Sequence, residues 1–221
     1  MRRPIWDALT TRQIAFSLGG ERARRFDPEV SPFAATRDDS PDSLAALAEL
    51  VPSTGTLVML QADPIRVPPG AVAVMTAPGV QMIAERPIEA PSDPRIRRLA
   101  PTDAPAMLAL ATLTKPGPFA ARTPELGEFW GVFDGEHLVA MAGERMKHPG
   151  LTEVSGVCTH PDARGRGLAR TLSAWVAAQI AARGETAYLH AYASNTAAIE
   201  LYRSLGFVLA LEMHVAALAR E

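Results

Sequence analysis

One cysteine in 221 residues leaves no partner for an internal disulfide and no thiolate cluster for zinc. An excess of charge of one sign is also missing. Lys+Arg total 22 against 24 Asp+Glu, a net charge of -2, which suits a general nucleic-acid binder poorly. Aromatics make up only 6% of the chain, so few rings are available to stack on bases. No apolar run follows Met1-Arg2-Arg3, and no stretch is long enough to span a bilayer. A soluble cytoplasmic protein without a membrane partner is the expectation. The length allows one or two domains and a sizeable core.

What is present centres on Val157-Cys158-Thr159-His160-Pro161-Asp162-Ala163-Arg164-Gly165-Arg166-Gly167-Leu168-Ala169. Glu153 to Thr159 reads as a strand, and Pro161, lacking an N–H, ends it. Leu168, Leu172, Trp175, Val176 and Ile180 then recur at helical spacing up to Gly184, a C-cap. The glycines therefore lie in a strand-to-helix turn, where several backbone N–H groups have no helical partner. The helix dipole adds partial positive charge there, and Arg164 and Arg166 add full charge. Such a turn fits a phosphate or pyrophosphate. It is not a Walker loop, since no Gly-Lys-Ser/Thr follows, and it lacks the third glycine of a dinucleotide fingerprint. Cys158 reads as a small packed hydrophobe, and His160 as a turn residue.

A second motif follows a strand over residues 188–193. Asn195 is placed to cap a short helix that ends at Gly206, and Tyr202 shares a face with it two turns on.

The pieces Val157-x-Thr159-x-Pro161-x-x-Arg164-Gly165-x-Gly167-x-Ala169 and Asn195-x-x-Ala198-x-x-x-Tyr202-x-x-x-Gly206-Phe207 resemble the GNAT superfamily of acyl-CoA N-acyltransferases. The resemblance runs from about Arg95 to Glu221. The long divergent N-terminal half also looks like the glycine N-acyltransferase-like branch. The implied fold is α/β: a mixed, mostly antiparallel sheet flanked by helices, with a smaller divergent α/β N-terminal half. The implied reaction moves an acetyl group from acetyl-CoA to a primary amine by direct attack. The expected partners are acetyl-CoA and a small-molecule or peptide amine, with no metal, nucleic acid or membrane, in a monomer or homodimer.

The resemblance also assigns roles. Backbone groups of Val157, Cys158 and Thr159 would bond the pantetheine arm like an added strand. Arg164, Gly165, Arg166, Gly167, Leu168, Ala169 and Arg170 would hold the pyrophosphate, and Asn195 would contact the CoA arm or serve as a cap alone. Tyr202 fits the acid that protonates the departing thiolate. Glu153 and His190 are both candidates for the base. The first lies where many family members carry a glutamate. The second lies where ribosomal-protein alanine acetyltransferases carry one, and histidine titrates near neutrality. Phe119 and Arg122, between the first two helices of this half, are candidates for the acceptor pocket. Two rival readings stand beside the enzyme: a non-catalytic acyl-CoA-binding regulator, and an RNA-binding module using Arg164 and Arg166.

The rest of the chain divides at Pro87-Ile88-Glu89-Ala90-Pro91-Ser92-Asp93-Pro94, which reads as a Pro-rich linker between residues 1–86 and 95–221. Upstream, a helix is expected over 5–18 and a solvated charged face over 21–25. A second helix should start at Ser40-Pro41-Asp42, with strands over 56–61, 71–76 and 80–84. Downstream, a short strand over 95–99 precedes a helix from Thr102-Asp103. Asp134-Gly135 joins two strands of a hairpin. The tail from Val208 to Leu218 gives one long strand or two short ones, which leaves the sheet short, and a strand from the N-terminal half could complete it.

Overall fold

The computed structural model describes residues 1–221. The chain forms α1 (Pro4–Thr10), β1 (Ser17–Gly19), β2 (Ala23–Phe26), β3 (Ala34–Thr36), α2 (Pro41–Leu50), β4 (Leu57–Gln61), β5 (Ala71–Ala84) and β6 (Arg97–Arg98). There follow α3 (Ala104–Thr114), β7 (Phe129–Asp134), β8 (His137–His148), β9 (Leu151–Thr159), α4 (Leu168–Ala182), β10 (Thr186–Tyr192), α5 (Thr196–Ser204) and β11 (Phe207–Arg220). β1–β3 make a small sheet. The other strands make one eight-stranded sheet in the order β4-β11-β5-β10-β9-β8-β7-β6. Only the β9–β10 pair is parallel in it. This is the expected α/β architecture.

The sheet is sandwiched. On one face Leu168, Leu172, Val176 and Ile180 of α4, with Ile199 and Tyr202 of α5, pack on Met82, Ala140, Ala142 and Leu189. On the other, Ile5 and Leu9 of α1 join Phe26, Phe33, Val58, Leu60, Met146 and Tyr188. Neighbours in a strand point to opposite faces, so Tyr188 and Leu189 serve different cores.

The stretch 87–94 carries no helix or strand, and strands from both sides of it share the large sheet. β5 lies between β10 and β11, and β4 extends the edge beyond β11. The expected strands over 71–76 and 80–84 are one strand running through Pro78-Gly79. Pro78 is tolerated because its carbonyl accepts from Ala193 N–H (3.0 Å). Its missing N–H therefore falls on the side where β10 ends, at the Tyr192–Gly79 pair.

Two N-terminal expectations are corrected. The helix expected over 5–18 stops at Thr10. Thr10 and Thr11 hydroxyls bond back to the carbonyls of Trp6 and Asp7 (2.8 and 2.5 Å). The buried Gln13 leaves the helical path to bridge Arg145 O (2.6 Å) and Lys147 N (3.2 Å) on β8. The charged run 21–25 is not a solvated face but enters β2. Arg25 is buried there and donates to Leu50 O at 2.9 Å. The helix at Ser40 forms as expected, with the Ser40 hydroxyl accepting from Ser43 N–H at 3.3 Å. The tail is one long strand, β11.

Candidate active site

β9 and β10 run side by side only from the Leu151–Thr186 pair to the Glu153–Tyr188 pair, and then diverge. Beyond that point β9 keeps β8 on one edge and has no strand on the other. Gly156, at φ +62°, sits where the β8–β9 register slips between the Gly143–Ser155 and Met141–Cys158 pairs. A side chain there would be strained, and its Cβ would stand 2.9 Å from the Phe129 ring. The gap between the diverging strands opens into a cavity of about 840 Å3. That is within the range of roughly 300–1,000 Å3 usual for ligand pockets.

One end of the cavity is built from backbone. α4 starts at Gly167, which takes a left-handed φ of +73° and offers no side-chain cap. None of the backbone N–H groups of residues 165–170 donates to a protein acceptor. A Cβ added at Gly165 or Gly167 would meet no atom within 4 Å, so the turn is open on its ligand side. Six free N–H groups at a helix start, beside Arg164, form an anion cradle. The arginines of this turn differ. Arg164 lines the cavity and has no side-chain partner. Arg170 lines it while held by the Ser204 carbonyl at 3.1 Å. Arg166 turns away to Asp162 O (3.2 Å) and Asp134 (3.6 Å), and is not on the cavity wall.

The opposite end is built from side chains. Glu153 is fully buried and takes both Nε and Nη2 of Arg145, at 2.8 and 2.7 Å. It also accepts from Met146 N–H (3.2 Å) and from His190 Nδ1 (2.8 Å). Burial alone would raise its pKa. The Arg145 charge and the hydrogen bonds from Arg145 and His190 outweigh that and hold it well below the usual carboxylate range. Nε2 of His190 accepts from the Gln81 amide at 3.0 Å. The ring is thus fixed from both sides by β9 and β5. His190 and Arg145 line the cavity; Glu153 lies behind them and does not.

Between the two ends stands Tyr202 on α5, its ring edge-on to Phe207 at 6.0 Å. Its hydroxyl has no protein partner and is not among the sealed, unpaired polar atoms. Burial, helped by the Glu153 charge, pushes its pKa up to about 12. Asn195 caps α5 through its side-chain oxygen, which accepts from Ala198 N–H at 3.2 Å, and it also lines the cavity. Val157, Cys158, Thr159, Leu168 and Ala169 line it as well. Burial pushes the Cys158 thiol up to about 11, which leaves it a packing group.

Besides Arg166 and Glu153, two more sequence candidates fall outside the cavity. Phe119 packs edge-on against Phe129 at 5.8 Å, while its neighbours Gly117 and Pro118 reach the wall. Arg122 is spent on Asp27 (2.9 Å), Glu29 (3.4 Å) and Glu125 (2.8 Å). Wall or support residues that the sequence reading missed include Arg145, Gln81 and Phe33. The charges Glu144, Arg145 and Lys147 inside an otherwise apolar strand were the signal for Arg145. The other two carry none.

Residues 129–215 match the family described as FR47-like protein. A protein of Novosphingobium aromaticivorans assigned to the GNAT family of acetyltransferases is 44% identical. The match covers 100% of this chain and 98% of that one, with a TM-score of 0.94. A GCN5-related N-acetyltransferase of Kribbella flavida shares the fold at 18% identity and a TM-score of 0.59, over 96% of this chain and 91% of its own. A GNAT-family acetyltransferase of Colwellia psychrerythraea does so at 10% identity and 0.55, over 88% and 80%. No curated protein matches. These likenesses carry the superfamily and not the glycine N-acyltransferase-like branch. With the diverging strands, the anion cradle at α4 and a relative 44% identical over its whole length, this chain belongs to the GNAT family of acetyltransferases.

Proposed function

We propose that the protein is an acetyl-CoA-dependent N-acetyltransferase acting on a primary amine. The observation that carries this reading is one cavity with an anion cradle at one end, an unpartnered Tyr202 hydroxyl in the middle and His190 at the other. Acetyl-CoA fits the donor set: the N–H groups of 165–170 with Arg164 suit its pyrophosphate, and the free edge of β9 at 157–159 suits its amide-rich arm. When bound, it supplies an already activated acyl thioester, so no covalent enzyme intermediate is needed.

The chain's own residues then do three things. The cavity walls hold the amine against the acyl carbon, which replaces a bimolecular encounter with a positioned one. His190 takes one amine proton at Nε2, exchanging the Gln81 hydrogen bond for it. Glu153, bonded to Nδ1, orients the ring and stabilises its cation; it is a positioning residue. Tyr202 gives a proton to the sulfur as the carbon–sulfur bond breaks and the carbon–nitrogen bond forms, and solvent reloads the phenol. A raised pKa keeps that hydroxyl protonated through the neutral range.

The test is thiol release from acetyl-CoA across a library of amines, with binding of acetyl-CoA followed separately by calorimetry. Amine-dependent release supports the enzyme. Binding without release for any amine supports the regulator instead.

A further inference from the structure

The cavity wall is charged unevenly. Lys115, Arg145, Arg164 and Arg170 line it, and no aspartate or glutamate does. Arg164 and Arg170 stand at the cradle. Arg145 stands at the far end, among Phe33, Val58, Leu60 and Val215, with its guanidinium 4.7 Å from the Phe33 ring centre. Glu153 uses Nε and Nη2 of that guanidinium and leaves Nη1 without a protein partner. Nη1 is not a sealed atom, because the Arg145 side chain keeps 11% exposure and lines the cavity. One nitrogen of a cation thus stays free at a cavity wall that Arg145 shares with His190 and with the apolar Phe33, Val58, Leu60 and Val215.

We propose that the acceptor is an apolar amino acid. Its carboxylate takes the Nη1 hydrogen bonds of Arg145, and its side chain lies against Phe33, Val58, Leu60 and Val215. This rests on the acyl-transfer reading above and narrows it. Charge argues in the same direction. A plain alkylamine arrives as a cation among cationic side chains, with no carboxylate on the wall to receive it. An amino acid arrives as a zwitterion, and its carboxylate also faces the positive charge that His190 gains with the amine proton. The four bonds already made by Glu153 prevent it from serving the acceptor.

The test compares three sets of acceptors at fixed acetyl-CoA. Leucine, valine and phenylalanine are each run beside the matching amide and the matching decarboxylated amine. The amides keep a carbonyl oxygen without charge, and their weakly basic amines control for amine protonation. In at least one set the acid should exceed both analogues in kcat/KM by about tenfold or more, as a charged hydrogen bond is worth. Arg145→Lys keeps one cation for Glu153 and loses the free fork. In that variant the preference should shrink to within about threefold, through KM more than kcat, with acetyl-CoA affinity kept. Acids that never exceed their amides and amines overturn the proposal, as does a preference undiminished in a folded Arg145→Lys. The unaltered protein decides the carboxylate question even where the variant fails to fold. Absence of acetyl-CoA binding is a separate failure, and it strikes the acyl-transfer reading itself.

Discussion

The two ends of the cavity are made by opposite means. At the cradle, six backbone N–H groups and a solvent-facing arginine do the work, and the side chains of 165 and 167 are absent altogether. At the far end, side chains from β5, β8, β9 and β10 form a chain of contacts: Arg145, Glu153, His190 and Gln81, with Glu153 fully buried. A backbone site tolerates many neighbours but not a change of local conformation. A buried side-chain network is the reverse: it tolerates no lost partner, because each group's charge or donor is satisfied only by the next. Mutations at the two ends should therefore fail differently, in binding at one and in stability at the other.

The largest effect should come from removing the region that supplies part of the far end. A chain starting at Arg95 lacks β5, which separates β10 from β11, and so lacks Gln81 and the middle of the sheet. No cooperative thermal transition is expected by circular dichroism. A folded fragment with unaltered activity would show that residues 1–94 are an appendage.

Next in size is Glu153→Gln. It leaves the buried Arg145 charge without a counterion, so urea unfolding should show a loss of about 3 kcal/mol or more. Arg164→Ala, on an exposed residue at the other end, should change stability by less than about 0.5 kcal/mol. Equal losses at the two sites would erase the contrast. The pH dependence has a definite sign. Glu153 is depressed in the folded state, so its contribution to stability is present above the unfolded carboxylate range, about 4.3. It is lost as pH falls below that range toward the folded value. Glu153→Gln should therefore flatten the acid limb of the stability profile.

Gly167→Val sharpens the comparison from the cradle side. The φ of +73° disfavours any side chain, and the new one occupies the ligand's side of the turn. Calorimetry should find most acetyl-CoA binding lost in a protein that still folds. Unchanged affinity would remove the cradle from the account.

The same contrast explains what could be read in advance. The cradle, α4, the Asn195 cap and Tyr202 were legible because the chemistry there requires particular residues at fixed local spacing. The far end was legible only in part. Glu153 and His190 stood as candidates through the resemblance, but their joining with Gln81 and Arg145 was not legible, because these four meet only through strand order, and pairing across a sheet leaves no trace in local spacing. Pro78-Gly79 read as a break between two strands because both residues favour turns, and it is tolerated inside β5 because the neighbouring β10 ends there, a fact of another strand's length. Phe119 and Arg122 were placed by analogy of position. Other partners, Phe129 for one and Glu125 with the distant Asp27 and Glu29 for the other, claim them instead. The early end of α1 follows from Gln13 being needed on β8, again a distant partner.

The central claim is that the residue between the two ends performs chemistry and not packing. Tyr202→Phe keeps the ring and its edge contact with Phe207, and deletes only a hydroxyl that has no partner in the protein. Acetyl-CoA affinity should stay nearly intact while kcat falls by at least about tenfold, the lower side of what a positioned general acid contributes. Wild-type activity should show no loss of this acid on the alkaline side until pH nears the phenol's value of about 12. A Phe variant whose kcat is unchanged when chemistry limits the rate would contradict the account and leave Tyr202 a core aromatic.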